Sequence, residues 1–371
     1  MPRRRKAMSK QTGVALIVVM LIVALVTILA VEMSSRLQIN IARTVNVKAN
    51  NQAYWYALGA EQYAQNSLRT LRTLAGNNIN LSQPWAQVFE YPVEGGSIKA
   101  ELFDMRSCFN LNAINSEPDL SSGGGGSGGG GGSGGGGGNN GGGGNNGGSG
   151  SGSGGVSGGG RIGSGPTPSQ QAFHNLLENY IEDSYVADTI RDSMIDWLDE
   201  DDNPSNFGAE DADYESLPIP YLAANNPMSH PSELRLINGI GEGVQQGWLK
   251  ELKKVVCVLP ESQLKVNVNT ITEDNAVVLS SLLGDTLDTG RSIINNRPED
   301  GFKTKEDFLS LSEVKALTLS PEQTQWFDVS TEYFRLETTA KFQGSQFKML
   351  TVFLINDSGI TIISREFGGA F

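Results

Sequence analysis

The chain has 371 residues, and five of its 28 basic residues lie within the first ten positions, so the remainder is more acidic than the overall formal charge of −13. A surface of that sign repels a phosphate backbone, which sets nucleic acid aside as a partner. Two cysteines and two histidines exclude a Cys/His zinc site and leave little from which to build a Ser-His-Asp centre, so composition argues against an enzyme, and the length predicts two folded units.

Residues 14–31 form a run of 18 uncharged residues in which Thr27 alone is polar, preceded by Arg3, Arg4, Arg5 and Lys6 and followed by Glu32. As a helix the run spans roughly 27 Å, enough to cross a bilayer once. The basic cluster keeps the N-terminal end in the cytoplasm and sends the rest to the other side. A cleaved signal peptide has a shorter apolar region ending at a small-residue site. Here helix-forming sequence continues beyond Glu32 without a break. Ala53, Ala57, Ala60, Ala64, Leu68, Leu71 and Ala75 then recur at spacings of three and four, the stripe of a helix whose inner face is small enough for close packing.

The basic leader ending in Gly13, the apolar run directly after it and the segment QAYWYALGAEQYA at Gln52–Ala64 resemble the minor pseudopilin K family of the bacterial type II secretion system. The resemblance implies that residues 1–13 are a leader removed by prepilin peptidase after Gly13, with Val14 becoming the N-methylated mature terminus. It implies an anchor over 14–34, a single pass through the inner membrane and a C-terminal domain in the periplasm. Most subunits of this kind carry a glutamate at the fifth mature position, where this chain has Val18, a departure that marks the K family and suits the tip of the filament. The function implied is structural: a tip subunit that helps start pseudopilus assembly for export of folded proteins across the outer membrane. Its partners would be the minor pseudopilins I and J.

Further along, Ser97–Arg106 alternates as a strand and runs into the polar turn CFNLNAIN. Between Gly123 and Gly165 lie 29 of the 46 glycines, and so little apolar surface that a flexible loop is expected. Helical spacing returns in Ser169–Leu198, read as two helices. Shorter helices are expected at Pro231–Leu236, Val244–Lys254, Glu273–Leu283, Thr289–Asn295, Lys305–Leu311 and Pro321–Asp328. Tyr333–Phe342, Phe347–Ile355 and Ile360–Phe367 alternate around two glycine-bearing turns, an antiparallel meander. The fold class is α+β. The resemblance casts residues 14–110 as a pilin-like helix with the first strands, 111–330 as a large inserted α-domain, and 331–371 as the closing β-meander.

Within the inserted segment, residues 196–215 hold nine acids and no Lys or Arg. Asp199, Asp201 and Asn203 with Glu210 at the twelfth place reproduce the oxygen spacing of an EF-hand loop, but Pro204 stands where the sharp turn needs glycine. Asp196, Asp202, Asp211 and Asp213 add hard oxygens, which favour calcium over transition metals. A solvated acidic loop is the competing reading of these residues. The pattern formed by Asp196, Trp197, Asp199, Asp201, Gly208, Ala209, Glu210, Asp211 and Tyr214 resembles that of the K family, and the resemblance implies a structural calcium site here.

Cys108 and Cys257 allow one bridge or two buried thiols; an exported location permits the bridge. Two other functions compete. Leu236–Gly243 and Val266–Thr270 with Arg297–Phe302 are similar to helix-hairpin-helix modules, some of which bind DNA, although Glu242 sits inside the first hairpin. An exported single-pass hydrolase would need a nucleophile and base, and no motif outside the glycine tract supplies them.

Overall fold

A computed structural model describes residues 13–76, 78–116, 165–241 and 247–368. Residues 1–12 of the leader, nearly all of the glycine tract, Glu242 and Gly243 of the first hairpin, and the start of the helix expected from Val244 lie outside the described residues. The chain divides into two compact units: one combines the chain up to Leu74 with Pro84–Phe103 and Glu332–Phe371, the other Ala75–Gln83 with Asp104–Thr331. The second unit thus begins at Asp104, seven residues before the expected boundary at 111, and takes in 75–83 as well.

In the first unit, helix α1 (Val14–Ala75) runs 62 residues without interruption. Its membrane-length part is exposed throughout, with an 18-residue window of mean hydropathy 3.4 and none of it buried. From Ala49 onward the alanine stripe is covered: Ala53, Ala57, Ala60, Ala64 and Leu68 are all buried. They face a five-stranded sheet made of β1 (Phe89–Val93), β2 (Gly96–Asp104) and the last three strands of the chain, β7 (Tyr333–Phe342), β8 (Ser345–Asn356) and β9 (Gly359–Phe367), in the order β1-β2-β7-β8-β9. β1 pairs antiparallel with β2, and β7, β8 and β9 form the expected meander. Small helix residues let the backbone approach the strands, so Ala53 and Ala57 pack directly on Ala340 and Met349.

One charge is buried in this interface. Glu61 is fully covered and accepts two hydrogen bonds from Arg365, at 2.7 and 2.8 Å, and a third from the Thr351 hydroxyl at 3.0 Å. A buried carboxylate left unpaired would be strongly destabilising, so the arrangement ties the register of α1 to β8 and β9. Gly96 is demanded by contact as well: a Cβ there would lie 1.8 Å from the Lys341 carbonyl oxygen.

The second unit is built of short helices around one apolar core that includes Phe109, Phe173, Leu176, Ile190, Trp197, Leu252, Val278 and Phe308. In chain order they are α2 (Pro168–Glu178), α3 (Ser184–Leu198), α4 (Asp211–Glu215), α5 (Trp248–Val255), α6 (Ala276–Leu283), α7 (Leu287–Asn295), α8 (Lys305–Leu309), α9 (Ser312–Ala316) and α10 (Pro321–Trp326). Capping explains many of the starts: Thr167, Thr304 and Ser320 each close a capping box with the residue three positions on. Pro231–Leu236 is a 3₁₀ turn rather than an α-helix.

Two parallel strand pairs that alternation did not reveal, β3 (Phe109–Asn110) with β4 (Val256–Cys257) and β5 (Val266–Asn267) with β6 (Phe327–Asp328), hold the ends of the helical segments together. Each is two residues long, too short for a period-two pattern. Asn112 and Asn269 do equivalent work beside them, each donating to and accepting from the backbone of one distant residue, Met228 and Phe302 respectively. Cys108 and Cys257 form a disulfide with Cα atoms 5.8 Å apart, closing a separation of 149 residues.

Candidate functional site

Helix α3 carries Asp192 and Asp196 one turn apart, and Asp199 follows at its C-cap, so three carboxylates share one face where the chain leaves the helix. The segment after Asp199 folds back over them. Ser205 donates its backbone N–H to both oxygens of Asp196, at 3.0 and 3.1 Å, and Phe207 donates to Asp192 at 3.2 Å. Gly208 crosses so close to Asp196 that a Cβ would lie 1.8 Å from its Oδ2. Glu210 then turns inward at the start of α4 with only 4% of its surface exposed.

This packing crowds like charges out of water. Burial, with Asp192 adding repulsion, pushes Asp196 up to about 6 against the opposing hydrogen bonds from Ser205. Burial and then the charges of Asp196 and Asp201 push Asp199 up to about 7. Burial followed by Asp196, Asp199, Asp202 and Asp211 does the same to Glu210, also to about 7. Asp199 Oδ1 and both carboxylate oxygens of Glu210 are buried without a hydrogen-bond partner. Beneath them Trp197, Tyr214 and Tyr221 form an aromatic floor, with ring centroids 5.6 Å apart for Trp197–Tyr214 and 5.1 Å for Tyr214–Tyr221.

The remaining candidate oxygens do other work. Asp201 Oδ1 accepts from the backbone and side-chain nitrogens of Asn203, Asp202 from Asn225, Asp211 from the Ala223 backbone and Asp213 from the Glu210 backbone. The loop therefore brings Asp196, Asp199 and Glu210 within electrostatic reach and sets Asp201, Asp202, Asn203, Asp211 and Asp213 around them as local caps. Among the described residues no group of three or more His, Cys, Asp or Glu side chains is placed to hold a metal ion. What the arrangement offers is a set of buried hard oxygens, Asp199 Oδ1 and both oxygens of Glu210, that lack a hydrogen-bond partner. Asp192 was missed by reading the loop alone; its signal was the four-residue spacing to Asp196 on α3.

The other sequence candidates fall elsewhere. Gly13 lies just before α1, exposed, with open space where a side chain would stand, and Val14 is exposed as well. Gly239 of the first hairpin packs against Ile190 of α3. In the turn between α6 and α7 the amides are spent internally: Gly284 donates to the Ser281 carbonyl, Asp285 to that of Ser280 and Thr286 to the Asp285 carboxylate. Ser232 Oγ stands 2.7 Å from His230 Nδ1, but that nitrogen also accepts the Ser232 N–H and caps the turn Pro231–Leu236.

Two family models described as type II secretion system protein K match residues 107–261 and 266–330. Curated proteins named type II secretion system protein K are 31% identical in Pectobacterium carotovorum subsp. carotovorum, over 97% of this chain and 98% of that one, and 32% identical in Aeromonas hydrophila over the same shares. The chain belongs to the type II secretion system protein K family. A K protein of Dickeya chrysanthemi is 33% identical, again over 97% and 98% of the two chains. Among solved structures, the crystal structure of the GspK-GspI-GspJ complex from enterotoxigenic Escherichia coli contains a chain that matches with a TM-score of 0.68 at 22% identity, covering 88% of this chain and all of that one. The fold of the K family is therefore this fold: a long N-terminal apolar helix, an antiparallel sheet and a helical unit between its strands. Such a chain is a minor pseudopilin of the secretion system, with an N-terminal helix suited to membrane anchoring.

Proposed function

We propose that the chain is the tip subunit of the periplasmic pseudopilus, that it assembles with minor pseudopilins I and J to start the filament, and that it acts structurally rather than catalytically. The observation that carries this reading is the single helix α1, whose bare apolar first half continues without a break into a second half buried on the sheet. A membrane anchor so rigidly joined to a folded domain suits a subunit lifted out of the bilayer into a filament. The matching Escherichia coli chain sits in a complex with GspI and GspJ, which supports the same partners here. The side chain of Val18 is apolar and half exposed, so it offers no carboxylate to a subunit ahead, as a tip position allows. The basic cluster before Gly13 supports a cytoplasmic N-terminus and a periplasmic domain. Nothing in the fold requires glycine at position 13, which supports recognition by prepilin peptidase, followed by methylation of Val14, as the reason for it.

Calcium is proposed as the structural ion of the acidic loop. Asp196, Asp199 and Glu210 would hold it, because Asp199 Oδ1 and both Glu210 oxygens are buried without partners and the three charges repel one another. The bound ion would supply neutralisation, fixing the turn from α3 to α4 on its aromatic floor. The satisfied amides of the α6–α7 turn and the flanking Asp285 give no support to DNA binding. The experiment is expression of the full chain with subunits I and J in a secreting host. Recovery of a membrane-bound complex whose K subunit begins at N-methylated Val14 is expected. A soluble chain cut near residues 30–35, or one that never associates with I and J, overturns the reading.

A further inference from the structure

Among the described residues, two positions other than glycine have a left-handed backbone, Gln343 at φ +44° and Asn225 at φ +43°. The turn explains Gln343: with Gly344 it joins β7 to β8 in a two-residue hairpin loop whose φ values are both positive. Asn225 lies in no hairpin. It stands in the segment that follows α4, and hydrogen bonds on either side of it fasten that segment to the acidic loop. Ala223 donates its N–H to Asp211 at 2.9 Å, and Asn226 donates to the Trp197 carbonyl at 3.4 Å.

The side chain of Asn225 meets the same loop. Its Nδ2 donates to Asp202 Oδ1 at 2.9 Å and to the Asp201 carbonyl at 3.4 Å. Both partners are acceptors, so reversing the amide would set oxygen against oxygen, and its orientation is fixed. Oδ1 is therefore turned away from Asp202, and it is buried without a hydrogen-bond partner. Asp202 is also one of the carboxylates whose charge reaches Glu210. Glu210 supplies the independent observation: it is 4% exposed, and neither of its oxygens has a partner. An uncharged amide oxygen thus joins Asp199 Oδ1 and the Glu210 carboxylate as a buried acceptor left unsatisfied on one loop. Calcium gathers about six to eight oxygens and accepts Asn carbonyls alongside carboxylates.

We propose that Asn225 Oδ1 is a neutral ligand of the calcium ion, oriented by the bond from its Nδ2 to Asp202. The inference rests on the calcium reading of the loop and adds to it a residue outside the acidic segment 196–215. The full chain, solubilised in detergent, is loaded with terbium in place of calcium, and luminescence lifetimes in H2O and D2O count the waters on the ion. Asn225→Gly removes the oxygen but accepts the left-handed backbone without strain, so the metal-free melting curve should hold. It should add about one water to bound terbium and weaken calcium about tenfold in calorimetric titration. Asn225→Asp keeps an oxygen in place and should leave the water count as it is in the unsubstituted chain. An unchanged water count with Asn225→Gly overturns the assignment even if calcium binds more weakly, since Asn225 then only positions the loop. An added water with Asn225→Asp as well traces the effect to the lost Nδ2 bond and overturns it too. An unsubstituted chain that binds neither terbium nor calcium overturns the calcium reading itself and this assignment with it, so the two failures are told apart.

Discussion

Calcium binding to the acidic loop should expel protons, and the number follows from the environment of three carboxylates. At pH 6 a group with a pKa of about 6, as for Asp196, is half protonated, and groups near 7, as for Asp199 and Glu210, are about nine-tenths protonated. An ion that requires all three charged must displace about two protons there and close to none at pH 8.5. Its apparent affinity should be about fifty-fold weaker at pH 6 than at pH 7. Calorimetric titration of the full chain in two buffers of different ionisation enthalpy reads the proton count directly. The stability of the metal-free domain carries the same sign. Its carboxyl groups hold protons that the unfolded chain, with pKa values near 4, has released, so stability falls as pH rises from about 4 to 7, and calcium should remove that decline. Heats independent of buffer at pH 6, together with saturable calcium binding, would refute the placement of these three residues around the ion.

Other consequences are simpler to read. Gly13→Trp should leave the folded domain unchanged in its melting curve but yield a membrane-bound chain that retains residues 1–13, seen by mass spectrometry of the N-terminus. Replacing both cysteines, Cys108→Ala with Cys257→Ala, should cost about 5 kcal/mol in the chain-entropy limit for a closed loop of this length, measured by denaturant unfolding under oxidising conditions. Arg365→Ala should cost about 2–3 kcal/mol by leaving Glu61 buried with only Thr351 as partner, and a second change, Glu61→Gln, should recover part of the loss.

The parts of this fold that were legible in advance share one property: their signal repeats along the chain. The apolar run of 14–31, the alanine stripe of α1 and the meander of β7–β9 each span several periods, and the chain follows them closely. β1 was not read, because Pro92 and three exposed positions leave Phe89–Val93 without an apolar alternation, and it holds the sheet edge by pairing with β2. The two-residue strands β3–β6 could not be read at all, since each gains its partner only when distant segments meet. The acidic loop lies between these extremes. Its composition announced hard oxygens, yet which of them turn inward depends on contacts the spacing does not encode: the Gly208 backbone crossing Asp196, and Asp201 consumed by Asn203. An EF-hand register would give Asp199, Asp201, Asn203 and Glu210 equal standing. The fold instead separates them into a buried, repelling group with Asp196 and an outer group already satisfied by local bonds. A loop so divided stores unfavourable charge at its centre and holds it there with its rim, which is the arrangement that gives a cation the largest stabilising effect on the folded state alone.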